Sequence, residues 1–165
     1  MRALPSVSVQ RRVRTGWLPA ARELRRWAGA ALGARAAGGE ISVLLVGAAR
    51  SRALNAHYRG RDRPTNVLSF PTAGVVRARG LLGDLVICPA VLRTEARSQR
   101  KSARAHWAHL VVHGVLHLAG YDHELQRDAR RMQRREIRVL RDLGIANPYR
   151  APAPRCSAGG QRRGR

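Results

Sequence analysis

Lysine is almost absent from this chain of 165 residues: Lys101 is the only one, and every other basic residue is an arginine. Acids are scarce as well, ten against 32 bases, which leaves a formal charge of +22. A field of that sign draws in polyanions and holds nucleic-acid phosphates in a salt-sensitive way. Arginine in place of lysine, beside many alanines and glycines, also fits a genome rich in G and C, so charge alone is a weak argument for RNA. Aromatic residues are few, Phe70 with three Trp and three Tyr, and recognition by base stacking is not evident. Of the two cysteines, Cys88 falls in an apolar stretch and Cys156 in a polar tail. That excludes a disulfide framework and fits a reducing cytoplasm. No apolar run is long enough to span a bilayer, and Met1 to Val9 lacks the apolar segment of a secretory signal. The arginines that precede Glu23 resemble those of a transit peptide, but a first strand with basic edges is the favoured reading.

What the chain does have is concentrated in residues 113–123, His-Gly-Val-Leu-His-Leu-Ala-Gly-Tyr-Asp-His. His113 and His117 are four apart, so on a helix they project from one face. Gly120 suits a helix end, because glycine tolerates the left-handed conformation of a C-terminal cap. The chain then turns and His123 comes back towards the first two. Three neutral imidazoles converging in this way suit a tetrahedral Zn2+ with one position left for water. Nickel, copper and iron are other ions that imidazole accepts. The spacing is that of the metzincin proteases, with Gly114 where those enzymes carry their general-base glutamate. A hydrolytic site without the peptidase's base is expected.

Periodicity places these residues on a scaffold. Strands are expected at Val7–Val13, Ile41–Val46, Val67–Phe70 and Leu81–Cys88, and helices at Leu18–Leu32, Ala48–Tyr58 and Ala90–Ser98. Ser102 is placed to cap a helix running through Ala119, which apart from its histidines is apolar on nearly every side and therefore central. A last helix, Leu125–Leu143, turns Met132, Ile137, Leu140 and Leu143 inward and is stopped by Gly144. The expectation is an α+β fold with a small mixed sheet of about four strands packed with helices around a central, buried, metal-bearing helix. Residues 1–150 form one metal-dependent domain, and Ala151–Arg165 reads as a basic disordered tail.

The segment from His113 to His123 resembles the signature of the YbeY family of bacterial endoribonucleases. Leu54-Asn55-Ala56-His57-Tyr58-Arg59-Gly60 followed by Pro64-Thr65-Asn66-Val67-Leu68-Ser69-Phe70-Pro71 is similar to a second hallmark of that family. Gly83 to Cys88 and His106-Trp107-Ala108-His109 also fit. The resemblance implies a single-strand-specific, metal-dependent ribonuclease. It would act in maturation of the small-subunit rRNA 3′ end and in ribosome quality control. Its partners would be single-stranded RNA, rRNA and the small ribosomal subunit, with no membrane involved. It also carries the family's functional arginine onto Arg59, where a bidentate grip on the scissile phosphate would stabilise developing charge.

Other residues have plainer readings beside functional ones. His106 and His109 are too far along the helix to join the same ligand set and read first as hydrogen-bonded core histidines. Asp84 or Asp122 could orient a ligand imidazole, or could close a turn and cap a helix. Seven arginines between Arg127 and Arg141 form either a solvated face or a docking surface for RNA or the ribosome. Two further functions stay open on these residues. One is a metallopeptidase, on the histidine spacing, and the other is a ribosome-assembly factor whose metal is structural.

Overall fold

A computed structural model describes residues 6–14, 16–33, 39–74, 77, 80–121 and 125–150. The tail from residue 151 lies outside them. Among the described residues the chain runs β1 (Ser6–Arg11), α1 (Ala21–Leu32), β2 (Glu40–Leu45), α2 (Ala48–Arg59), β3 (Val67–Pro71) and β4 (Leu81–Ile87). It continues through α3 (Pro89–Ser98), α4 (Ala103–Leu118) and α5 (Gln126–Asp142). The strands form one sheet in the order β1-β2-β4-β3, parallel across β1, β2 and β4 and antiparallel between β4 and β3. This is the expected α+β arrangement with four strands in a mixed sheet. Parallel neighbours cannot be joined by a tight turn, and α1 supplies the crossover between β1 and β2.

Alternation in the strands decides which layer each residue serves. Ile41, Val43 and Leu45, with Leu85 and Ile87, face the main core beneath α1, α4 and α5. Leu44, Val86 and Leu68 point to the other face, where Leu54 of α2 and Phe70 cover them. Helix α4 packs against α1, α3, α5 and both hairpin strands. A helix enclosed on that many sides needs apolar residues around most of its circumference. Trp107, Ala108, Leu110, Val111, Val112, Val115, Leu116 and Leu118 meet that need.

Local chemistry sets the helix ends. Ser102 Oγ accepts from the Ala105 amide at 3.1 Å and starts α4 as expected. At the other end the Gly120 amide donates to the His117 carbonyl and the Tyr121 amide to that of Leu116, both at 3.0 Å. With Gly120 at φ 91° this is a Schellman cap, so the glycine that follows the two histidines turns the chain as its position suggested. Helix α1 starts at Ala21 and not at Leu18, because Pro19 precedes an extended Ala20 and the Glu23 carboxylate accepts from the Ala20 amide at 3.2 Å. In α5 the inward positions are Met132, Glu136, Val139 and Leu140, whereas Ile137 is only half-buried.

Two contacts hold α4 against its neighbours. Gly114 lies on the sheet so closely that a Cβ there would sit 2.3 Å from Leu85 Cδ1 and 3.2 Å from both Ser69 Oγ and Val67 Cγ2. On another side Glu95 of α3 accepts from His106 Nε2 at 2.8 Å and from the Asn66 amide at 3.1 Å, joining α3, α4 and the entry to β3. Burial raises the pKa of Glu95, but the His106 and Asn66 hydrogen bonds outweigh it and hold the carboxyl below its ordinary value.

Alanine at position 114 gains about 1 kcal/mol of helix propensity, yet crowding a packed core costs about 1–3 kcal/mol. Leu85 is fully enclosed and has little room to move aside. Gly114→Ala is therefore expected to lower the urea midpoint, and an unchanged or higher midpoint would contradict the close approach. A carboxyl with a depressed folded-state pKa contributes stability that is present above its ordinary value of 4.5 and lost as pH falls through the folded value. Glu95→Gln should therefore flatten the acid limb of the stability–pH curve, measured by urea titration, and an unaltered limb would refute the role.

Candidate metal centre

The last two turns of α4 place His113 and His117 on one face, with ring centroids 4.7 Å apart and planes at 79°. Buried packing against α1 and the sheet holds their backbone, and each ring sits at the wetter edge of the helix. His113 is further oriented from α5. Its Nδ1 lies 2.6 Å from Oε1 of Glu136, a carboxylate that is only 1% exposed. The other oxygen of Glu136 takes hydrogen bonds from His109 Nε2, at 3.3 Å, and from the Tyr149 hydroxyl. Burial pushes the Glu136 carboxyl up, but these three donors more than offset it and bring its pKa down to about 2. Partial burial and the hydrogen bond to Glu136 push the Tyr149 hydroxyl well above its ordinary range.

An ionised carboxylate only accepts hydrogen bonds, so the proton of a neutral His113 resides on Nδ1. Its Nε2 is then the unprotonated nitrogen, the state a metal ligand requires. The donor chemistry thus fits an ion held by His113 and His117. His123, the third expected ligand, lies outside the described residues, as does Asp122. Among the described residues no group of three His, Cys, Asp or Glu side chains is gathered that would hold an ion by itself.

Glu136 is the residue that sequence reasoning missed. It orients His113 in the way considered for Asp84 or Asp122; Asp84 is exposed on β4, and Asp122 lies outside the described residues. The signal was present: Glu136 falls in the inward stripe Met132-Glu136-Val139-Leu140, where an acid among arginines is out of place unless it is paired. Tyr149, beyond the last helix, carried no such signal. His106 and His109 are hydrogen-bonded helix histidines, as their plainer reading held, and His109 also shares the carboxylate of His113.

Arg59, the last residue of α2, is exposed and makes no side-chain hydrogen bond or ion pair among the described residues. The backbone around it is braced. Ser51 Oγ bonds both the carbonyl and the amide of Thr65, at 2.8 and 2.9 Å, and Asn55 Nδ2 donates to the Arg63 carbonyl at 2.8 Å. Arg52 holds Asp62 with two contacts of 2.6 Å, and Gly60 at φ 65° makes the turn. Tyr58 meets Phe70 of β3 edge-on at 4.8 Å. The loop from α2 to β3 therefore presents Arg59 from a fixed base.

The sequence model of one protein family, described as Endoribonuclease YbeY, matches residues 15–144. The chain belongs to that family. It is 53% identical over 141 residues to Endoribonuclease YbeY of Alkalilimnicola ehrlichii, covering 81% of this chain and 83% of the relative. Endoribonuclease YbeY of Methylococcus capsulatus is 49% identical over 146 residues, covering 87% and 95%. The counterpart in Halorhodospira halophila is 48% identical over 135 residues, covering 79% and 88%. The fold is shared with a solved structure, that of TM1509 from Thermotoga maritima. That match has a TM-score of 0.54 and 23% identity, over 87% of this chain and 99% of the other.

If Glu136 sets the His113 tautomer, replacing its charge should be felt at the metal. Glu136→Gln is expected to weaken Zn2+ binding by about 10–100-fold, read by competition with a chromogenic chelator. Equal affinity in the two proteins would show that the carboxylate only packs α5 onto α4.

Proposed function

We propose that this chain is a single-strand-specific, metal-dependent endoribonuclease. Its work is maturation of the small-subunit rRNA 3′ end and ribosome quality control, in the cytoplasm and on the small ribosomal subunit. Two things support the reading: membership of an endoribonuclease family, and the His113–Glu136 hydrogen bond, which leaves an imidazole nitrogen suited to a metal. His113, His117 and His123 would hold one Zn2+. When bound, the ion would supply Lewis acidity and a water acidified enough to attack a phosphodiester near neutral pH. Arg59, presented on the braced turn after α2, would grip the scissile phosphate through two N–H donors and offset the charge that builds there. Glu136 keeps the His113 ring in one orientation and one tautomer throughout.

The metallopeptidase alternative meets a steric objection. Its general base would have to stand at position 114, and there the helix touches Leu85, Ser69 and Val67 with no room for a side chain. A binding factor with a structural metal remains the contrasting reading, and the same experiment separates it.

Purified protein loaded with zinc should cleave single-stranded RNA and spare duplex RNA and casein. His117→Ala should lose both the metal, by elemental analysis, and the cleavage. Arg59→Ala should keep the metal and lose about 10²–10³-fold in rate, the usual effect of removing a charge-stabilising donor. Intact RNA with zinc bound, or cleavage indifferent to both substitutions, would refute the nuclease. Casein cleavage abolished by a chelator would revive the peptidase.

A further inference from the structure

The arginines of α5 are not distributed as a uniform solvated face. Arg127 and Arg141 each have a neighbouring acid on their own helix, Asp128 at 3.9 Å and Asp142 at 3.4 Å. Arg131, Arg134, Arg135 and Arg138 lie on a flank with no carboxylate within ion-pair distance among the described residues. Together with Arg77 they line a cavity of about 570 Å³ between α5, the end of α1 and the end of α4. No acid lines it. Five like charges around one cavity repel one another, and an anion that enters lowers that cost.

The cavity is also partly preorganised. Arg77 donates to the Leu118 carbonyl at 3.0 Å, and the Arg131 guanidinium sits 5.7 Å from the Tyr121 ring centroid. The floor is apolar, formed by Leu32, Leu82 and Ala119. An apolar floor beneath a cationic rim matches a nucleotide unit, whose base or ribose can pack below while its phosphates meet the rim. The volume falls within the range of about 300–1,000 Å³ common for ligand sites. Among the described residues no histidine lines it, and His113 instead meets Glu136 on the inward side of α5.

We propose that this cavity anchors the phosphodiester backbone of single-stranded RNA, as a subsite separate from the histidine array that holds a stretch of strand away from the cut. The inference rests on the ribonuclease reading above.

The test is fluorescence anisotropy with a labelled single-stranded RNA across a series of KCl concentrations. Arg134→Ala with Arg138→Ala is compared with a charge-matched pair outside the cavity, Arg127→Ala with Arg141→Ala. All four residues are exposed, and thermal melts check that both variants fold. The cavity pair should bind about tenfold more weakly and show a salt dependence of log Kd shallower by about 1.4, at roughly 0.7 for each single-strand phosphate that is no longer neutralised. The outer pair should fall well short of both effects. Arg134→Lys with Arg138→Lys, which keeps the charge, should retain the salt slope of the unaltered protein. Equal weakening by the cavity and outer pairs, with RNA cleavage by the unaltered protein intact, overturns the subsite and leaves the nuclease standing. An unaltered protein that neither binds nor cuts RNA overturns both.

Discussion

Glu136 is the contact on which the rest of the candidate site depends. Its carboxylate is buried, which by itself would be costly, and it is stabilised by two imidazoles from α4 and the hydroxyl of Tyr149. That arrangement docks α5 onto the central helix, sets the tautomer of His113 and ties the segment after α5 back onto the core. One group therefore links packing, ring orientation and metal readiness. A carboxylate that accepts three hydrogen bonds stays ionised far below neutral pH.

The close approach at Gly114 works in the same direction from the opposite side of α4. Without a Cβ the helix settles onto β3 and β4, and the Ser69 hydroxyl reaches the Gly114 carbonyl at 3.1 Å. The position that serves as a general base in proteases of the same histidine spacing is here a packing contact. Chemistry and architecture compete for one residue, and in this fold architecture occupies it. The histidines are left to work with a base from elsewhere or with none.

Charge is organised on a larger scale than composition suggests. The few acids are used where they hold structure: Glu95 and Glu136 against α4, Glu23 with Arg104 at 2.9 Å, and Asp62 with Arg52. Arg52 and Arg104 are paired by two of these acids. Among the arginines without such a partner, four on one flank of α5 gather with Arg77 at a cavity. Partner selection by a strongly basic chain then becomes a matter of where cations lack counterions, because a paired guanidinium presents little net charge to a phosphate.

The histidine spacing, the helix that carries it, its capped ends and the mixed four-strand sheet could all be read from residue order. Those features depend on neighbours within a few positions: Ser102 and Gly120 act on backbone groups three to five residues away, and alternation in Ile41 to Leu45 is local. The start of α1 at Ala21 is a place where a hydrogen bond and an adjoining proline outweighed apolar periodicity. Glu136 against His113, Glu95 against His106 and the packed face of Gly114 join residues on separate elements. Nothing in a linear pattern says which face of one helix meets which face of another. The identity of the metal-spaced imidazoles was thus a property of the sequence, whereas their orientation, and the sorting of arginines into paired and gathered sets, was decided only when α5 packed on α4 and brought distant charges within bonding range.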